Sequence, residues 1–391
     1  MGIFKKAIFA GILVAIILIV SVALGEVICR GTDKFFSSIT HLDYLDVFRP
    51  NFDVTTEFSL GGLLKADFNH LVIGGYGRPV RFRTNSMGFR YNKNVALNPD
   101  PDVIRILSLG DSFTTGYRIA QNQTFSWLLD NYLNSKKDGN RYEVLISCIL
   151  HPRLSLSYLS AQGIKLKPNV VILGITLGND MLEDSYVDIT KVNKEIPQDC
   201  LSGEPFQVNG IAHPILDKSL LYTRLSNLFR RYQGETICRC GENYLNLYDL
   251  CNGLGFYIKD PPAEINSAYA NLLQSLLGLK NLSEQYHFKF IVVLFPQRFQ
   301  VQQEDWDATV LYYGLKREAF DLDKPNKLIM DFCKKENIDC IDPTLEMAAF
   351  YKAEKKNLYF SLGDMHWNAL GNKAIYNTIK DRVYEAIRKR S

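Results

Sequence analysis

"ILSLGDSFTTGY", residues 106–117, runs from an apolar stretch straight into Gly110, Asp111 and Ser112. Around it, "VIRILSL" (103–109) reads as a strand. Residues 123–135 read as a helix, with Phe125, Leu128, Leu129 and Tyr132 on one face. Next come a strand at 143–147, a helix near 155–166, and "NVVILGIT" (169–176), apolar on both faces as a central parallel strand is. Helix 263–286, strand 288–295, helix 325–336 and strand 338–342 continue the rhythm. A last helix places Ile375, Ile379, Val383 and Ile387 four apart. Such alternation predicts an α/β fold, a doubly wound and mainly parallel sheet with helices on its faces.

The chain has 391 residues, 47% of them hydrophobic, enough for a full core. Its 45 basic and 42 acidic residues are spread along the sequence with no basic stripe, which argues against a nucleic-acid partner. Lys5 and Lys6 precede "AIFAGILVAIILIVSVALG" (7–25), nineteen residues without a charge. At 1.5 Å rise per residue these nearly match a hydrocarbon core of ~30 Å. The expectation is one N-terminal transmembrane helix with its N-terminus cytoplasmic, a retained anchor in the membrane. The rest of the chain is then extracytoplasmic, in the periplasm.

Three parts follow: an anchor over 1–30, a lead-in over 31–102 that packs on the main domain, and the main domain over 103–391. The lead-in contains "GGYGRPVRFRTNSMGFRYN" (74–92) and closes with the turn residues "NPDPD" (98–102). Within the main domain the rhythm breaks at 181–262, a cap insertion carrying Cys200, Cys238, Cys240 and Cys251. In an oxidising space these read as disulfide partners rather than a metal site, because paired C-x-x-C spacing and a nearby His are lacking. Cys333 and Cys340 bracket a helix end and the next strand, where a bridge is sterically open.

Ser112 falls between a strand and a helix, at the carboxyl edge where parallel sheets hold their sites, although a Ser there is also a routine helix cap. Asn179, in "LGND" (177–180), follows another strand and could donate its amide to an oxyanion. Near the C-terminus "YFSLGDMHWNALGN" (359–372) sets Asp364 two residues before His366. In extended backbone, i and i+2 project to one side, so the carboxylate can orient the imidazole.

In this order, Ser112 in "GDSF", Asn179 in "GND" and Asp364 with His366, the motifs resemble those of the SGNH (GDSL) hydrolase superfamily. The "RTNSMGFR" lead-in (83–90) is similar to that of its membrane-anchored bacterial members. The resemblance implies a three-layer α/β/α domain and acyl-ester chemistry. Ser112 attacks, His366 takes its proton, Asp364 orients His366, and the Ser112 N–H with the Asn179 amide holds the oxyanion. Two departures stand out. The second motif block normally supplies a Gly N–H to the oxyanion, whereas "LISCILHPRLS" (145–155) has none, leaving Cys148 or Leu150 at that position. The spacing is also Asp-x-His where much of the superfamily has Asp-x-x-His. Tyr117 and Trp367, beside the motifs, are candidates to stack on sugar rings.

The function expected is a membrane-anchored serine esterase or O-acyltransferase acting on acyl, chiefly O-acetyl, esters of cell-surface glycan, with no metal or other cofactor. A noncatalytic glycan-binding or assembly protein on the same fold, and a lipid esterase, are the alternatives.

Overall fold

In a computed structural model, the structure describes residues 20–28, 30, 59–75, 78–149, 151–183, 253–313, 315–360 and 365–389. The chain divides into two units, one of residues 1–41 with 207–237 and one of 42–206 with 238–391. In the first unit the described residues 20–28 are helical. Among the described residues no helix is long and apolar enough to cross a membrane. Most of the expected anchor (7–19), most of the cap and its four cysteines lie outside the described residues.

The second unit is built on a five-stranded parallel sheet of β3 (Val103–Gly110), β4 (Arg141–Cys148), β5 (Val170–Thr176), β6 (Lys289–Phe295) and β7 (Asp339–Ile341). Strands β1 (Asn69–Ile73) and β2 (Pro79–Arg83) form a separate antiparallel hairpin in the lead-in. The sheet order is β4-β3-β5-β6-β7. The chain therefore moves outward from β3 to β4 and then back across β3 to β5. That reversal opens a crevice at the carboxyl end of β3, where ligands bind in open α/β sheets.

Side-chain alternation along the strands separates the two faces. Leu107 and Leu109 of β3, Leu145 of β4 and Val171 and Leu173 of β5 pack with helices Pro152–Ala161, Ala263–Tyr286 and Lys324–Lys335. Ile106, Val144, Ile172 and Val293 pack on the other face with helices Phe125–Asn134 and Ala369–Arg388. The three-layer α/β/α order follows. The terminal helix buries Ile375, Ile379, Val383 and Ile387, the residues its spacing selected. The helix at Phe125 turns a slightly different stripe inward, Phe125, Leu129 and Leu133, and leaves Tyr132 half-buried. Helices Gln303–Tyr313 and Thr344–Glu354 were not expected, because neither carries a clean apolar stripe in sequence.

The described part of the lead-in, residues 59–75 and 78–102, contacts the sheet. Asn85 shapes the turn inside "RTNSMGFR": its Oδ1 accepts the N–H groups of Met87 (3.1 Å) and Phe89 (3.0 Å). The turn sends Phe89 into the core and lets Arg90 N–H reach the Ile146 carbonyl of edge strand β4 (3.0 Å). Deeper in the sheet, buried Arg105 pairs with Glu143 (2.8 Å) and donates to the carbonyls of Ala96 (2.7 Å) and Leu97 (3.0 Å), which ties the end of the lead-in to β3 and β4.

Candidate active site

Strand β3 ends at Gly110, whose φ of +149° lies outside the range ordinary side chains favour. A Cβ there would stand 2.3 Å from Thr114 Oγ1 and 3.0 Å from the Gly174 carbonyl. The sharp exit lets a one-turn helix, Ser112–Thr115, begin at once. Asp111 caps that turn by accepting the Phe113 N–H at 2.9 Å. Ser112, half-buried, is the first residue of the turn.

Asp111 does more than cap. It is 2% exposed, and Thr176 Oγ1 at the end of β5 donates to its Oδ2 at 2.9 Å. Burial pushes its carboxyl up, while the bond from Thr176, nearby His366, the bond from the Phe113 N–H and the nearby Asn179 amide pull the other way. Asn179 opens the helix Asn179–Glu183 after Gly178. Its side-chain amide lies near the Asp111 carboxylate and helps lower it. Asp180 Oδ2 accepts the Thr176 N–H at 2.8 Å and fixes the same strand exit from behind. Asp111 thus couples the Ser112 turn to the Asn179 turn.

His366 arrives from the far end of the sequence. Ser112 Oγ lies 2.6 Å from His366 Nε2, a hydrogen bond joining residues 254 apart in the chain. Tyr359 and Trp367 form an antiparallel bridge at the base of the His366 loop, and the Phe360 N–H donates to the His366 carbonyl at 2.9 Å. The segment after β6 holds this base: Leu358 N–H donates to Gln302 Oε1 (3.0 Å), and Arg298, ion-paired with Asp305 (2.9 Å), donates to the Phe360 carbonyl (3.2 Å). Asn368 caps the terminal helix through the N–H groups of Leu370 and Gly371. The imidazole packs between Phe113 (4.8 Å between centroids) and Tyr117 (4.3 Å).

Tyr117, half-buried, is therefore at the site, beside the imidazole. Trp367 is not a sugar platform. It is 1% exposed and stacks edge-on with Phe113, Phe295 and Phe125, because the bridge at the base of the loop turns alternate residues to opposite sides. Its role is to seat the loop. Trp367→Ala should cost about 3–5 kcal/mol of stability, as large aromatic truncations do. Chemical denaturation checks this, with a loss under about 1 kcal/mol counting against the packing.

Cys148 ends β4 with its carbonyl accepting the Leu63 N–H (3.3 Å), and its side chain is buried among Leu64, Phe68, Val72 and Phe82 of the lead-in. The following Ile149 N–H donates to the Gly110 carbonyl (2.9 Å). Leu150, the other residue considered for the missing glycine, and Asp364 lie outside the described residues. Cys333 and Cys340 are free thiols, the second held above its ordinary range by a hydrogen bond to the first and by burial.

Sequence reasoning missed Arg90. Its guanidinium is fully buried over the Phe82 ring (4.3 Å) and donates to the carbonyls of Thr115, Gly116 (2.7 Å) and Ile119 (2.6 Å), the end of the Ser112 turn and the bend beyond it. Arg298 was missed as well. The polar run "PQRFQVQQED" (296–305) after an apolar strand was the available signal.

No protein-family model and no curated protein sequence matches the chain. Among solved structures the chain is similar to the acetyl xylan esterase AlAXEase (12% identity over 72% of this chain and 100% of that one, TM-score 0.39). It is similar too to TesA (11% identity, 73% and 99% covered, TM-score 0.37). A third is a catalytic mutant of Axe2, an acetylxylan esterase from Geobacillus stearothermophilus (10% identity, 72% and 94% covered, TM-score 0.37).

Proposed function

We propose that this chain is a serine esterase of the SGNH type acting on O-acyl, chiefly O-acetyl, groups of glycan. The observation that carries the reading is the 2.6 Å contact between Ser112 Oγ and His366 Nε2. In that geometry the hydroxyl donates to Nε2, so the ring proton sits on Nδ1, the side that Asp364 would hold. As Ser112 Oγ bonds to the ester carbonyl carbon, its proton moves to Nε2. The carbonyl oxygen, now an oxyanion, takes N–H donors from the Ser112 backbone and from Asn179. When the ester C–O bond breaks, His366 returns the proton to the departing sugar oxygen. Water then attacks the acyl-Ser112 carbonyl with His366 as base, and the acid leaves. A sugar hydroxyl in place of water would make the reaction acyl transfer.

The uncharged run at 7–25 supports attachment to the membrane, with this unit outside the cytoplasm. Acetate release from O-acetylated xylan and mannan, set against fatty-acid release from a long-chain ester, tests the substrate class. Acetate release supports the glycan reading, and fatty-acid release alone contradicts it. Asn179→Ala should lower kcat by about 10²–10³-fold with a smaller change in KM, the loss typical of one oxyanion donor. Steady-state kinetics on the better substrate reads this.

A further inference from the structure

The lead-in carries a cationic stretch near the site. Residues 59–93 hold Lys65, Arg78, Arg81, Arg83, Arg90 and Lys93 against a single carboxylate, Asp67. Arg90 is consumed inside the fold, but Arg78, Arg81 and Arg83 are exposed. Arg81 and Arg83 share a neutral acceptor, Asn69 Oδ1, at 2.9 and 3.1 Å. Among the described residues no carboxylate forms an ion pair with Arg78, Arg81 or Arg83.

The tip of this hairpin touches the catalytic elements. Gly75 N–H donates to the Arg118 carbonyl (2.8 Å), and the Arg78 N–H donates to the Gly75 carbonyl (3.3 Å). One glycine backbone therefore joins the two arginines. A Cβ on Gly75 would lie 2.0 Å from the Phe360 ring, and the Phe360 backbone N–H donates to the His366 carbonyl. Arg118 has a left-handed φ of 59°, uncommon for a residue with a side chain, and its guanidinium lies 4.7 Å over the Tyr117 ring, which in turn packs on His366. An uncommon backbone held by a specific contact beside a reacting pair is where a functional constraint is found.

We infer that Arg78 and Arg118 form a carboxylate-binding subsite on the rim of the Ser112–His366 pair, so that the substrate is an acyl ester of an acidic, uronate-bearing polysaccharide. A guanidinium offers a planar fork matched to a carboxylate. Arg81 and Arg83 extend the positive charge along the hairpin for further anionic units. The inference rests on the esterase reading for the word substrate, while the binding itself does not.

The full chain carrying Ser112→Ala separates binding from turnover. Titration with oligogalacturonate should show binding that weakens as NaCl is raised from about 0.05 M to about 0.3 M. Affinity should fall about tenfold or more when Arg78→Gln and Arg118→Gln are added, the loss expected for a charge-assisted pair. Arg78→Lys with Arg118→Lys, keeping the charge, should recover most of it and report that the fold is intact. Equal affinity for neutral xylo-oligosaccharide would overturn the inference, as would oligogalacturonate binding indifferent to the two arginines. So would binding to phosphatidylglycerol vesicles without oligogalacturonate binding. Esterase activity of the unmutated chain is read separately, so a binder that hydrolyses nothing would sink the esterase reading and leave the subsite standing.

Discussion

Ser112→Ala should reduce esterase turnover by ~10⁴–10⁶-fold, the range seen when the nucleophile of a cooperating triad is removed. The hydroxyl stands 2.6 Å from His366 Nε2, and the Asp111 carboxylate beside it is buried and engaged by Thr176 and Phe113. His366→Ala should cost nearly as much, and the double variant little more than either single one, because the two residues act as a unit. Hydrolysis of 4-nitrophenyl acetate reads all three. Additive losses would mean that Ser112 and His366 work independently, against the proton transfer proposed for them.

Arg90→Ala should destabilise the protein by about 3–5 kcal/mol, the scale for leaving several buried carbonyls without their donor. Its guanidinium serves the carbonyls of Thr115, Gly116 and Ile119, and truncation leaves these buried acceptors to find new donors at about 1–3 kcal/mol each. Arg90→Lys supplies one compact donor group in place of a planar fork, so an intermediate loss is expected. Urea denaturation at unchanged m-value measures both. A loss below about 1 kcal/mol for Arg90→Ala would show that the Ser112 turn does not depend on the lead-in. The effect should reach the site, since these carbonyls end the turn that starts at Ser112.

Much of the architecture was legible because it is periodic. The run at 103–109 and the both-faces-apolar run at 169–176 became β3 and β5, and the four-residue spacing from Ile375 to Ile387 became the buried stripe of the last helix. Ser112 and Asn179 were legible as residues at strand exits, and His366 through its spacing from Asp364. Their convergence was not, since it depends on β5 crossing back over β3 and on a hydrogen bond spanning 254 residues.

Trp367 misled because a tryptophan beside a histidine looks the same in sequence whether it lines a groove or fills a core. The alternation at the Tyr359–Trp367 bridge decides it. Arg90 was invisible for the opposite reason. A lone arginine after Gly-Phe gives no sign that three carbonyls from another segment will converge on it.

The most direct test of the central claim is covalent. Wild-type chain treated with a serine-reactive fluorophosphonate and mapped by mass spectrometry should carry one adduct, on Ser112, and His366→Ala should abolish it. Such a result establishes a nucleophile activated by that imidazole. A folded protein that stays unlabelled, or that labels at another serine, would contradict the account and favour a glycan-binding protein that keeps the geometry without the reaction.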